Sequence, residues 1–309
     1  MPALRVPVKR TPDKPGPGPI PDALLRAAEI QIRRRVDSLL AGDYRSSTLG
    51  VGTELAQIRP YQPGDDVRRM DWNVTARTRV PHVRVHLAER SLPIWLLLDS
   101  SPSMQFGTAD RRKTDVAEGV ALVVGHLAAR RSNRLGIMTF GERNPRLLPP
   151  RQGRAALLSL LSILAREPEA DSGGAEALPQ ALERTSRIAR QRSLVVVVSD
   201  FLGARTWREP LMRLAGHHDV LAVEVGDPRE YDLPDVGDLW LVDPETGEHL
   251  RVNTGSRALR QRFAAAAERE RQETAQLFRS LQVSHVRLST EGDWLRNLVA
   301  FLRLHGRLR

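Results

Sequence analysis

The period of the hydrophobic positions changes several times along the chain, and each change predicts an element. From Asp22 to Leu40 the residues Leu24, Leu25, Ala28, Ile32, Val36 and Leu39 recur at helical spacing, with Pro21-Asp22 as a start and Gly42 as a stop. Val83, Val85 and Leu87 alternate with polar residues, which predicts a strand over 82–89. From residue 93 the pattern becomes strand, helix, strand. Ile94–Leu98 is a continuous apolar run, as expected of a strand buried on both faces. Val116, Val120, Val123, Val124 and Leu127 predict a helix over Thr114–Ala129. Strands at Leu135–Phe140, Leu194–Ser199, Val220–Val225 and 284–288 alternate with helices near 153–165, 177–190, 207–216, 256–281 and 292–304. A hairpin over 239–252 turns at Asp243-Pro244-Glu245-Thr246-Gly247. Alternation of this kind predicts an α/β fold with a doubly wound, mostly parallel sheet.

Punctuation divides the rest. Prolines at 2, 7, 12, 15, 17, 19 and 21 remove backbone donors, so residues 1–21 read as a disordered, Pro-rich tail. Residues 22–43 hold the first helix. Gly50, Gly52, Pro63 and Gly64 break 44–90 into short extended pieces, a small β-rich appendage. The α/β domain fills 91–309.

Composition narrows the function. The chain of 309 residues contains no cysteine, which excludes a disulfide scaffold, a thiolate metal site and a cysteine nucleophile. Its longest apolar runs fall far short of the roughly 18 residues of a membrane span, and the N-terminus lacks the apolar segment of a secretory signal. A cytoplasmic protein is expected. The formal charge of +10 is carried by the two ends, +5 over 1–35 and +7 over 251–309, with −2 between them. Without interleaved aromatics or a DNA-reading motif, this excess does not by itself argue for nucleic acid. Of the 47 basic residues only Lys9, Lys14 and Lys113 are lysines, which reads as a bias toward Arg codons.

Two apolar strands end in carboxylates, Trp95-Leu96-Leu97-Leu98-Asp99 and Val196-Val197-Val198-Ser199-Asp200. In an open α/β sheet the carboxyl ends of central strands face the ligand crevice. The first continues as Asp99-Ser100-Ser101-Pro102-Ser103, a D-x-S-x-S spacing that gathers one carboxylate and two hydroxyls in a tight loop. Hard oxygen ligands of this kind suit Mg²⁺ or another divalent cation, which prefers octahedral oxygen and keeps several waters. A strand-end Asp capping the next loop, with serines meeting turn donors, is the plainer reading of the same residues. The residues Asp99, Ser101, Ser103 and Asp200 resemble the metal-ion-dependent adhesion site of the von Willebrand A-like fold. That site adds a Thr from a Gly-Gly-Thr-Asp-type loop. The matching stretch is Gly173-Gly174-Ala175-Glu176, where Ala175 has no ligand oxygen and leaves Ser172 or Glu176 as substitutes.

Upstream lies a dense, charged string. Gly50, Gly52 and Glu54 precede Arg59-Pro60-Tyr61-Gln62-Pro63-Gly64-Asp65-Asp66-Val67-Arg68-Arg69-Met70-Asp71-Trp72, and Arg77 follows. Acids alternate with arginines, which predicts a mutually paired ion network around a Trp, either pinning the appendage or docking a partner. This string closely resembles the signature of domain-of-unknown-function family 58, von Willebrand A-like proteins associated with MoxR-type AAA+ ATPases. The resemblance covers about 40–300. It implies a non-catalytic partner of such an ATPase, acting with a client protein in maturation or complex assembly, and a form without the membrane helices that many members carry.

Enzyme readings find little support. No G-x-S-x-G elbow, P-loop or G-x-G-x-x-G fingerprint occurs. A Mg²⁺-dependent phosphoester hydrolase using Asp99 would want a second acid two residues on, where Ser101 stands. An Arg-rich nucleic-acid-binding protein is the other alternative, and it predicts binding that weakens steeply with salt.

Overall fold

The computed structural model describes residues 15–31, 54–87, 93–129, 133–165, 174, 176–245 and 247–305. The chain divides into two compact units, one of Met1–Val36 with Leu92–Arg309 and one of Asp37–Ser91.

Helix α1 covers 22–31, and its first turn is closed by the Leu24 and Leu25 amides donating to the Pro21 carbonyl, each at 3.0 Å. The rest of the predicted 22–43 helix lies outside the described residues. Before α1 the sequence expectation needs correction. Residues 15–21 form an irregular segment, with Gly16 and Gly18 at positive φ, that is nevertheless held: the Gly16 amide donates to Asp115 Oδ1 (3.1 Å), and the Trp294 indole donates to the Pro17 carbonyl (2.9 Å). Proline lacks an N–H but keeps a carbonyl acceptor, so this segment docks through the Pro17 oxygen and through the amide of the intervening Gly16.

In the smaller unit, strands β1 (Glu54–Pro60) and β2 (His82–Leu87) pair antiparallel. Between them lies a helix the alternation did not predict, α2 (Trp72–Thr78). Asp71 caps it by accepting from the Asn73 and Val74 amides at 3.0 and 3.1 Å. Pro63-Gly64 does form a turn, closed by the Asp65 amide on the Gln62 carbonyl at 3.0 Å.

The larger unit is built on a six-stranded sheet. In chain order its strands are β3 (Pro93–Asp99), β4 (Arg134–Phe140), β5 (Leu147–Arg151), β6 (Leu194–Ser199), β7 (Asp219–Gly226) and, after a separate hairpin of β8 (Asp238–Val242) and β9 (His249–Asn253), β10 (Ser284–Ser289). The order across the sheet is β10-β7-β6-β3-β4-β5, all parallel except β5, which runs antiparallel at the edge. Helices α3 (Lys113–Ala129), α4 (Gly153–Leu164) and α8 (Trp294–His305) lie on one face. Helices α5 (Ala177–Ile188), α6 (Arg208–His217) and α7 (Arg257–Ser280) lie on the other. The predicted doubly wound, mostly parallel α/β fold is therefore present. Side chains alternate through the sheet: Trp95, Leu97, Val195, Val197, Val220 and Ala222 pack with Leu182, Leu211 and Phe278 of the second helical layer. Phe278 also gathers Phe201 and Trp207 at centroid distances of 5.1 and 5.3 Å, which fixes the chain just after β6.

Candidate functional site

The order in which strands are added reverses at the centre of the sheet. From β3 the chain runs outward to β4 and β5, then returns to β6 on the other side of β3 and continues to β7 and β10. The carboxyl ends of β3 and β6 therefore flank a topological switch point, where open α/β sheets place their ligands. Parallel pairing of Leu98 with Val198 puts Asp99 beside Ser199, with Asp200 one residue on. Asp99, Ser101 and Asp200 are buried, and Ser103 lies partly exposed at the same edge.

The loop after β3 is organised by Asp99. Its Oδ1 accepts the Ser101 amide at 2.9 Å, and its Oδ2 accepts the Ser199 hydroxyl at 2.6 Å. The Ser101 and Ser103 hydroxyl oxygens lie 3.0 Å apart. Burial, and after it the charge of Asp200, pushes the Asp99 carboxyl up to about 7, against the bonds from Ser101 and Ser199.

Asp200 is already paired. Lys113, fully buried at the start of α3, donates from Nζ to Asp200 Oδ2 at 2.7 Å and to Glu230 Oε1 at 2.6 Å. Burial works against this ammonium, but the charges of Asp200 and Glu230 overcome it and hold the group above the ordinary lysine value. Burial likewise raises Glu230, although Lys113 pulls the other way. Asp200 Oδ1 accepts the Leu202 amide at 3.1 Å, and Glu230 Oε2 accepts the Asp227 amide at 2.8 Å. Asp227, which follows β7, is a third strand-end carboxylate; its oxygens are taken by the Thr108 amide and by the hydroxyls of Thr108 and Thr290. Two carboxylates, Asp200 and Glu230, thus share one ammonium, and Asp99 lies beside them with hydroxyl and amide donors alone.

Two further residues close on the loop. Glu245, at the tip of the β8–β9 hairpin, accepts the Ser103 amide at 3.1 Å. Gly141, after β4, has φ +81°, and a Cβ there would lie 2.6 Å from Asp99 Oδ1 and 2.8 Å from the Ser101 nitrogen. Gly141→Ala is therefore expected to lose stability on two counts, left-handed backbone and collision. Gly203→Ala carries the first alone, because φ is +87° there but nothing lies within 4 Å. Urea denaturation should show about 1–2 kcal/mol for Gly203→Ala and at least ~1 kcal/mol more for Gly141→Ala. Equal losses would mean the loop gives way freely.

Of the two residues expected to stand in for the missing Thr oxygen, Ser172 lies outside the described residues, as does Ala175. Glu176 is described: it is exposed, precedes α5, and its side chain makes no capping bond. Among the described residues it bonds to none of Asp99, Ser101, Ser103 or Asp200. Sequence reasoning missed Lys113, Ser199, Gly141, Glu230 and Glu245. The scarcity of lysine was the available signal: Lys113 is the one lysine beyond residue 14, and a Lys kept among so many arginines marks a place that takes a compact ammonium and not a planar guanidinium.

In the smaller unit the signature is only partly a network. Arg59 grips Asp65 through two bonds of 2.8 and 2.7 Å, and Arg84, which was not anticipated, donates to Asp71 at 2.8 Å. These bonds hold both carboxyls below the usual range. Asp66 caps the turn at 67–69 through the Arg68 amide. Neither ion pair includes Arg68, Arg69 or Arg77, and Trp72 is 69% exposed instead of central. It sits at the first position of a short helix whose cap, not whose aromatic, is buried. Tyr61 is partly buried, its amide donating to the Pro81 carbonyl. Gly50 and Gly52 lie outside the described residues, and Glu54 opens β1.

The donor set fits a divalent cation of the Mg²⁺ type. The Ser101 and Ser103 hydroxyls hydrogen-bond to each other at 3.0 Å, a separation that two oxygens in adjacent positions of a Mg²⁺ octahedron with bonds of about 2.1 Å also have. The surplus of acid over ammonium supplies the charge. Among the described residues no three His, Cys, Asp or Glu side chains form a metal cage, so serine oxygens and water would complete the shell.

The class defined so far is an α/β domain with acids and hydroxyls gathered at its switch point. Within that class the chain belongs to the family described as "Protein of unknown function DUF58", which matches residues 57–273. It is 41% identical over 280 residues to "Uncharacterized protein Rv1480" of Mycobacterium tuberculosis, covering 91% of this chain and 88% of the relative. Similar solved structures include conserved hypothetical protein BatB from Bacteroides thetaiotaomicron, with 14% identity, a TM-score of 0.45, and coverage of 69% of this chain and 98% of that one. The SpRpn10 VWA domain is another, with 18% identity, a TM-score of 0.35, and coverage of 68% and 94%. No helix among the described residues is long and apolar enough to cross a membrane.

Proposed function

We propose that this chain is a non-catalytic, von Willebrand A-like interaction module of the cytoplasm whose switch-point crevice binds Mg²⁺ or a similar divalent cation and, through it, a partner's carboxylate. The observation that carries the reading is the Ser101–Ser103 hydroxyl pair, 3.0 Å apart beside buried Asp99. Ser101 and Ser103 would hold the cation, with Asp99 and Asp200 balancing its charge. The bound ion would supply an electrophilic coordination position. Lys113 anchors Asp200, Ser199 and the Ser101 amide orient Asp99, and Gly141 lets β4 approach the loop. By resemblance to the family signature, the partner is a MoxR-type AAA+ ATPase acting with a client protein.

A hydrolase reading is weaker. Each oxygen of Asp99 already accepts a hydrogen bond, and no side-chain acid or base stands two residues on.

Isothermal titration of the EDTA-treated protein with Mg²⁺ tests the metal reading. Binding is expected, and Ser101→Ala with Ser103→Ala should weaken it at least tenfold, about 1.4 kcal/mol. Unchanged affinity would remove the serines from the site. Pull-down of a MoxR-type ATPase from the same genome, with and without EDTA, tests the partner.

A further inference from the structure

The β8–β9 hairpin stands apart from the central sheet. Its strands pair with each other, from Asp238 opposite Asn253 to Val242 opposite His249, and with neither edge of the six-stranded sheet. Trp240 and Val242 share its outward face and are 62% and 52% exposed. An element fixed by so little apolar burial opens at low cost compared with global unfolding.

Its tip is nevertheless built. The Asp243 carboxylate accepts the Glu245 amide at 2.8 Å, the Asp243 amide donates to the Glu248 carbonyl at 2.9 Å, and the Gly247 amide donates to the Asp243 carbonyl at 2.8 Å. At its base, buried Thr254 donates from its amide (2.7 Å) and hydroxyl (2.8 Å) to the Gly237 carbonyl. A ladder closed at both ends moves as one piece about its flanks. The tip delivers the Glu245 carboxylate onto the Ser103 amide, across 142 residues of chain.

We propose that this hairpin is a latch in which Glu245 occupies the place of a partner's carboxylate, so that a partner engages once the hairpin has withdrawn. The inference rests on the carboxylate-binding reading above and adds its regulation. The hairpin sets an exposed carboxylate on the backbone amide of Ser103, whose hydroxyl lies 3.0 Å from that of Ser101, so the acid sits beside the oxygens that the reading above gives to the cation. An internal ligand acts at high effective concentration. An external acid therefore binds with an affinity lowered by the fraction of molecules that are open.

The test uses the full chain as wild type, Glu245→Ala and Glu245→Gln. Glu245 is exposed, so neither variant threatens folding. Hydrogen exchange at the Ser103 amide, measured in EDTA, reads the contact directly. It is expected to rise about tenfold or more in Glu245→Ala and less in Glu245→Gln, which keeps an acceptor oxygen. Titration with the peptide Gly-Asp-Gly in Mg²⁺, followed by NMR shifts, reads the competition. Its affinity is expected to be about tenfold or more higher for Glu245→Ala than for wild type. Unchanged Ser103 exchange overturns the latch, and so does equal peptide affinity in all three proteins. If no variant binds the peptide while Ser103 exchange still rises, the carboxylate-binding reading fails and the hairpin contact alone survives.

Discussion

Lys113→Met is expected to destabilise the larger unit by about 3–5 kcal/mol in urea denaturation. Methionine fills most of the volume of the lysine stem, so the loss reports charge and not a cavity. With the ammonium gone, Asp200 Oδ2 and Glu230 Oε1 lose a shared partner while remaining out of water, and each then repels Asp99 or its neighbour. The two arms span 87 and 117 residues of sequence, so Lys113 ties α3 to the ends of both β6 and β7. Lys113→Arg is no remedy. A planar fork needs more room than a fully buried ammonium leaves, and it aims its donors differently. Neutralising the partners should restore part of the loss, so the triple change Lys113→Met, Asp200→Asn, Glu230→Gln is expected to be more stable than Lys113→Met alone. A loss under ~1 kcal/mol for Lys113→Met would show that water reaches these carboxylates, and the shared-ammonium account would fail.

How much of this was legible follows from what a sequence can carry locally. Ile94–Leu98 and Leu194–Ser199 announced themselves because strands buried on both faces are continuously apolar, and their terminal Asp99 and Asp200 came with them. Placing those two acids at one edge needed only the parallel, doubly wound inference. β5 was missed because Leu147-Leu148-Pro149-Pro150-Arg151 holds two prolines. An edge strand tolerates them where a central one does not. α2 does not show in the alternation because Asp71 serves twice, pairing with Arg84 and capping the helix through the Asn73 and Val74 amides. Lys113 and Glu230 were opaque for another reason: a buried ion pair leaves no periodicity, and its partners lie far apart in sequence. The hairpin turn through Glu245 was predictable from Asp243-Pro244 and Gly247, but its landing on Ser103 is tertiary.

The Asp99 carboxyl supplies the sharpest test of whether a cation belongs in the crevice. In metal-free protein its folded-state pKa stands near 7 against an ordinary 3.8, first because it is buried and then because Asp200 is close. An acid shifted upward is stabilising in its protonated form. Its contribution is complete below about 3.8, declines as pH rises, and is gone once pH passes about 7. Asp99→Asn keeps an oxygen for the Ser101 amide and presents an amide N–H to Ser199 Oγ, yet it cannot ionise. In EDTA the variant is therefore expected to match wild type near pH 4 and to exceed it at pH 8 by as much as ~4 kcal/mol. Mg²⁺ should reverse the order at pH 8, stabilising wild type, whose carboxylate it neutralises, and leaving Asp99→Asn nearly unmoved. Urea midpoints across pH, with and without Mg²⁺, decide it. Parallel curves for the two proteins in EDTA would mean that Asp99 is not the strained acid of this site. A Mg²⁺ effect equal in both would mean that the ion binds elsewhere.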